Sequence, residues 1–417
     1  MSGSSGSSSS SGPLTGIRVV ELASENAAFA GKLLADLGAD VVLVEPPGGH
    51  LCRTYEPFVN DVPHPERSLW WWHYHTSKRG VVIDLESIEG RAMFASLAGG
   101  ADVILEGEPP DRLASLGIDH QDVREVSPHL VWVSVTPFGR LSVRRNEVGS
   151  DLTLLAGAGP VYHCGYDDHS LPPVRGGGNQ GLQIASIWAA NAALVALVER
   201  DRSGLGQHVD VSMHAAANVT TEGGTYEYLV AQTVLERQTG RHASDQPTTP
   251  AQHQAADGRY VYIGFTVGAV AQLRAILDWL DELGIRDEHP EAFWLEVGIE
   301  RGGLHFSELG QDVEATAAFG SIRRALELIV ARLPAREFFL GAAERGLSTG
   351  IVASIDEVLV DPHFVEREFA VTILDTETRE RVTYPGAPFQ MKASPWRIRH
   401  RAPLLGEHDA EVLGPLR

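Results

Sequence analysis

Residues 13–47 read PLTGIRVVELASENAAFAGKLLADLGADVVLVEPP. An apolar stretch over 17–22 predicts a strand. Small and aliphatic residues over 27–37 predict a helix, and Gly38 stops it. A second strand over 40–44 runs into Glu45-Pro46-Pro47. Strand, helix, glycine stop and short return to a strand make up the unit that starts a parallel sheet.

Outward from that unit the alternation continues. Strands are predicted over 81–85, 102–105 and 130–135, with a helix over 88–97, and the run Leu130 to Val135 leads to Thr136. An alanine-rich helix over 184–200 ends at Ser203-Gly204-Leu205-Gly206, a strand follows over 209–212, and a helix starts near Met213. A period that keeps switching between strand and helix implies a Rossmann-like, doubly wound parallel α/β sheet. The polar stretch 232–254 holds Pro247 and Pro250 and reads as part of a linker. A strand over 259–265 and helices over 267–282, 312–332 and 335–346 then suggest a smaller α+β domain. The expected division is a disordered Ser/Gly tail at 1–12, a large domain at 13–225, a linker at 226–249, a small domain at 250–355 and a return to the large domain at 356–417.

The 417 residues exceed one compact core, which supports two domains. A net charge of −21 leaves no surplus of Lys and Arg to displace counterions, so nucleic acid is excluded as a partner. It does not exclude an anionic ligand held by a few local cations and helix N-termini. No apolar run in the sequence reads as a bilayer span and no secretory leader pattern is visible, so no membrane partner and a cytoplasmic location are expected. Two cysteines, Cys52 and Cys164, are too few for a disulfide framework. His73, His75, His163 and His169 lack zinc-ligand spacing, so no metal is expected.

Four blocks carry a resemblance to a known family. They are the opening stretch, TSKRGVVIDLES (76–87), DVILEGEPPDRLASLGI (102–118) and ALVERDRSGLGQHVDVSM (196–213), with APLLGEHDAEVL (402–413) as a matching tail. In order and spacing the chain resembles the family III CoA-transferases, the CaiB/BaiF type related to formyl-CoA transferase and α-methylacyl-CoA racemase. The resemblance implies an interlaced dimer, with no permanently bound cofactor and with coenzyme A and acyl-CoA as substrates. It also implies a reaction in which an aspartate carboxylate attacks the acyl-CoA carbonyl, forms a mixed anhydride and then takes up CoA.

The chain departs from the family at the decisive place. Where the catalytic aspartate should open the long helix, the sequence reads Pro172-Pro173-Val174-Arg175-Gly176-Gly177-Gly178-Asn179-Gln180, and no Asp or Glu occurs from Gly176 to Asn191. Asn179 is a poor nucleophile. The nearest carboxylates are Asp151, Asp167 and Asp168. Asp151 reads as a helix cap or a substrate-site residue, and Glu25, at the start of the first helix, as a cap or a carboxylate acting on the thioester. Lys78, Arg79 and Arg112 are the candidate phosphate-binding cations, and Thr136 and Gly176, Gly177 and Gly178 complete the candidate CoA-binding set. Trp70 to Trp72 read as a subunit interface, with stacking on an adenine or lining an aromatic acyl pocket as the alternatives.

Three functions follow from the resemblance. The first is transfer of CoA between an acyl-CoA and an organic acid. The second is a non-catalytic subunit of a heteromeric enzyme, of the kind acting on benzylsuccinate. The third is an acyl-CoA racemase or isomerase, which the residues oppose because Ser150 and Asn179 stand where that branch needs an acid/base pair.

Overall fold

Valine builds the sheet. In the computed structural model, which describes residues 12–221, 223–264, 267–375 and 379–414, β1 (Arg18–Leu22), β2 (Asp40–Glu45), β3 (Arg79–Val82), β4 (Val103–Glu106), β5 (Val131–Thr136) and β6 (His208–Ser212) all run parallel. Their spatial order is β3-β2-β1-β4-β5-β6. Val41, Val19, Val103 and Val131 are register neighbours in one row, and Val42, Val20, Ile104 and Trp132 in the next. The two rows enter separate cores, one on each face of the sheet. Burial on both faces is what a parallel sheet requires. The doubly wound α/β expectation is what forms, and the order reverses between β1 and β4. The Ser/Gly tail expected at 1–12 lies outside the described residues except for Gly12.

The helices that matter for the site are α1 (Ala28–Asp36), α2 (Leu69–Tyr74), α3 (Ile88–Gly99), α4 (Asp151–Ala158) and α5 (Gln180–Ser203). Gly38 ends the α1 turn with φ +107°, a conformation that side-chain-bearing residues avoid. α5 corrects one expectation: it has no charged side chain from Gln180 to Val198, and its length and composition match a bilayer span. Half of that apolar stretch is buried within the chain, as the core helix of a globular unit would be. Ala185, Ala189, Ala193 and Ala196 recur on its inner face and share a core with α1 and the sheet. Side chains that end at Cβ permit this close approach. Ala189→Leu, at a position with 0% exposure, is expected to cost about 1–3 kcal/mol, read as a lower urea midpoint at unchanged slope.

The chain divides into two units. The first takes in the described residues up to Cys164, Pro173–Val234 and those from Asp361; the second comprises Gly165–Pro172 and Leu235–Val360. In the second, an antiparallel sheet of Gln252–Gln254, Tyr260–Ile263 and Thr349–Ile351 packs with helices Val270–Glu282, Phe293–Glu300, Val313–Arg332 and Ala335–Glu344. Its core includes Leu273, Ile276, Leu280, Ile329 and Phe338. The segment 226–249, read as a linker, instead carries the end of helix Gly224–Ala231 and a hairpin of Glu236–Gln238 with Arg241–Ser244. The hairpin is polar, and the ion pair of Arg241 with Asp167 (2.7 Å) helps to hold it. Apolar periodicity could not have revealed it.

Two contacts within the first unit correct or complete the sequence reading. Trp71 and Trp72 are buried in the chain's own interior, where their indole N–H groups donate to Pro403 O (3.2 Å) and Glu66 O (2.9 Å). The Arg53 guanidinium lies 3.9 Å above the Trp71 ring. Trp71 and Trp72 are therefore core residues of this chain, while Trp70 is half-buried. At the open edge of β3, Val82 N–H donates to Asp409 Oδ1 (2.8 Å) and His408 N–H to Gly80 O (3.0 Å), so the C-terminal segment covers that edge.

Candidate active site

Three strands carry a buried glutamate at or next to their last residue, and each is tied to a buried cation from another segment. Glu21 pairs with Lys78 (2.8 Å), Glu45 with Arg53 (2.7 Å) and Glu106 with Arg140 (3.1 Å). The Glu45 and Glu106 pairs anchor segments beyond the carboxyl edge of the sheet, and the Glu21 pair ties β1 to the residue that precedes β3. Arg140 also reaches Asp119 and Pro110 O, and Glu106 accepts from Glu108 N–H (2.7 Å), which fixes the loop after β4. Burial lifts the Glu21 carboxyl to about 7, with the attraction of Lys78 offsetting part of the rise, and burial lowers the Lys78 ammonium. Gly31 makes room for this pair: a Cβ there would stand 1.8 Å from Glu21 Oε2.

These pairs decide the fate of the candidate phosphate cations. Lys78 has 0% exposure and donates to Glu21, Ala28 O (2.9 Å) and, within 3.0 Å, meets His75 Nδ1. It offers no ammonium to a surface ligand. Arg79 is engaged by both oxygens of Asp40 (2.9 and 2.6 Å) and by Glu411 (2.8 Å). Arg112 is different. It lines a cavity of about 110 Å³ at the carboxyl ends of β1 to β3, with Ala23, Pro46, Ile83 and Glu108 among its other walls. Its guanidinium is held by Glu86 (2.7 Å) and Glu108 (3.1 Å). Thr136 is buried, and its Oγ1 accepts from Gly139 N–H (3.0 Å), which uses it for the chain's own turn.

At the start of α5, Asn179 occupies the N-cap position but its side chain makes no capping bond. The cap comes from Asp151 at the first turn of α4. Asp151 Oδ1 accepts from Gly181 N–H (2.7 Å) and Leu182 N–H (3.2 Å), and Oδ2 from Arg175 (3.3 Å). Its own helix is capped by Ser150, so Asp151 serves α5 from outside. This borrowed cap explains why α5 begins at Gln180 and not near 184. Arg175 also donates to Gly176 O (3.2 Å) and Gly178 O (2.6 Å), which holds the triple-glycine loop by its carbonyls. Asp167 is tied to Arg241, and Asp168 to Ser170 (2.6 Å).

Glu25 lies between the sheet edge and α1. It is no helix cap: the N-cap position of α1 is Ala27, the helix has no side-chain cap, and Ser24 Oγ accepts from Ala27 N–H (3.2 Å) in the turn before it. Its carboxylate accepts a hydrogen bond from the Tyr55 hydroxyl (3.2 Å). Burial raises the Glu25 carboxyl above the usual carboxylate range; the Tyr55 bond opposes that rise and the Asp151 charge adds to it. Beside it, Asn26 donates to Gly107 O (3.5 Å) and its own carbonyl accepts from Ser186 of α5 (3.1 Å), while Gln183 of α5 donates to the Tyr74 hydroxyl (3.1 Å). The structure thus gathers Glu25, Asp151 and the first turns of α5 in one neighbourhood, and leaves Lys78, Arg79 and Thr136 outside it. Among the described residues no cluster of three His, Cys, Asp or Glu could hold a metal ion.

Sequence reasoning missed Tyr55 and Arg175, which carry no motif, and the buried Arg53 and Arg140. A signal for the latter was present: RVVEL, DVVLVE and VILE each place a glutamate at or next to the end of an apolar strand, and a buried carboxylate needs a partner.

Comparison with known proteins agrees with this architecture. The family model for CoA-transferase family III matches residues 14–409. Succinyl-CoA:(R)-benzylsuccinate CoA-transferase subunit BbsE of Thauera aromatica is 29% identical and aligns over 95% of this chain and 92% of its own length. Succinate–glutarate CoA-transferase of Agrobacterium fabrum is 29% identical over 97% of this chain and 96% of its own. The crystal structure of a CaiB/BaiF family protein from Brucella suis shares the fold, with a TM-score of 0.76, 24% identity, and coverage of 98% of this chain and 100% of that one. A parallel sheet in this order, with a match running through both units, places the chain among the family III CoA-transferases.

Proposed function

We propose that this chain moves CoA between an acyl-CoA thioester and an organic carboxylic acid. The reading is supported by the family membership and, above all, by carboxylates gathered at the start of α5: covalent thioester exchange needs a carboxylate placed beside preorganised N–H donors. The cavity walled by Ala23 and Arg112 supplies a place for part of the CoA chain at the carboxyl edge of the sheet. Relatives named for succinyl-CoA make succinyl-CoA the first donor to try. Incubation of the purified chain with succinyl-CoA and a panel of carboxylic acids is expected to yield the acids' CoA thioesters, identified by mass. Absence of both binding and turnover, for the chain alone and with any co-purifying subunit, overturns the reading.

One observation favours a second reading, in which the chain supports an active sibling in a heteromer. Asn179 stands where the family aspartate is expected, and the relative BbsE is itself named as a subunit. Under this reading the chain alone binds CoA without turnover, and turnover appears only with the partner.

A further inference from the structure

Resting on the CoA-transfer reading, we infer that Glu25 is the nucleophile of this chain, in the place that Asn179 cannot fill. Two carboxylates of the first unit lie near the start of α5, Glu25 and Asp151, and their surroundings differ. Asp151 is committed: two backbone N–H groups and Arg175 occupy its oxygens, and its movement would uncap α5. A carboxylate whose oxygens are engaged in this way is poorly placed to attack. Glu25 has no such duty. It caps no helix, and Tyr55 donates to Glu25 Oε2 alone, leaving Oε1 to attack.

Its position suits the reaction. Glu25 follows Ala23, which walls the cavity at the sheet edge, by two residues. The backbone on either side is held by Ser24 and Asn26, through Ala27 N–H, Gly107 O and Ser186, so the side chain projects from a fixed loop. Partial burial strips water from the carboxylate and makes it more basic, which raises its reactivity toward a thioester carbonyl once ionised.

The bond changes balance without an added proton or oxidant. Glu25 Oε1 attacks the thioester carbonyl carbon, the C–S bond breaks, and CoA leaves as thiolate, giving a mixed anhydride. The thiolate attacks the Glu25 side-chain carbonyl carbon and the donor acid departs as carboxylate, leaving Glu25 as a CoA thioester. The acceptor carboxylate attacks that thioester carbon and expels the thiolate, forming a second anhydride. The thiolate then attacks the acceptor's carbonyl carbon, which releases acceptor-CoA and restores the Glu25 carboxylate.

The test uses the full chain with succinyl-CoA as the probe. Hydroxylamine added during incubation is expected to convert Glu25 to its hydroxamate, and borohydride to reduce its thioester to the alcohol, both located by peptide mass. Glu25→Gln keeps the shape and the Tyr55 contact; it is expected to abolish the label and lower turnover by about 10³-fold or more, with circular dichroism unchanged. The acid limb of kcat/KM should lie above the ordinary glutamate range. Tyr55→Phe should move it to higher pH, because loss of that hydrogen bond raises the Glu25 carboxyl further. A label on Asp151 or on a partner subunit, or Glu25→Gln turnover within a few-fold of the parent, overturns the assignment while CoA transfer stands. A chain that neither binds succinyl-CoA nor turns over, alone or with its partner, ends both.

Discussion

Lys78→Met is expected to destabilise the first unit by about 3–5 kcal/mol near pH 8, because it strands the Glu21 carboxylate in a site with 0% exposure. Methionine fills much of the lysine volume, so the loss is electrostatic rather than a cavity. The pH dependence identifies the cause. With its folded pKa near 7, above the unfolded value of 4.5, Glu21 is tolerated best when protonated, and its contribution to stability falls as pH rises between those values. Removing Lys78 takes away the attraction that lowers the Glu21 pKa, so the decline should continue beyond pH 7. Urea unfolding of parent and variant at pH 5.5 and pH 8 should therefore show a gap that widens with pH. Glu21→Gln added to Lys78→Met should restore most of the loss and flatten the profile. An equal gap at both pH values would mean that packing, not charge, is what Lys78 supplies.

Asp151→Ala carries the second large expected effect. It removes an acceptor shared by two N–H groups at the start of α5 and leaves Arg175 without its carboxylate. Loss of a helix cap together with a charge-assisted contact is expected to cost about 1–3 kcal/mol. The damage should be local: amide protons of Gly181 and Leu182 should exchange about 10- to 100-fold faster, while the β1 and β4 amides keep their protection. Asp151→Asn, which retains a neutral acceptor, should fall between. Unchanged exchange at the start of α5 in Asp151→Ala would show that water or Asn179 caps the helix equally well.

Strands rich in valine and helices rich in alanine have no stable home except a layered α/β sheet, so β1, α1 and β2 were legible from residues 13–47. The missing carboxylate between Gly176 and Asn191 was equally legible, since an absence of Asp and Glu needs no coordinates. The site was less so. Lys78 and Arg79 have the composition of a phosphate clamp, yet proximity in space to Glu21, Asp40 and Glu411 turned them into structural ion pairs. Trp71 and Trp72 have the composition of an interface, yet the returning C-terminal segment at Pro403 covers them.

By itself the sequence determined the sheet, the family and the absence of Asp and Glu from Gly176 to Asn191, because periodicity and residue chemistry act within a few neighbours. Tertiary structure alone decided which charges are free. Asp151 caps a helix about thirty residues away and Glu25 does not cap its own, because hydrogen-bond partners are chosen by distance in space, to which position along the chain is no guide.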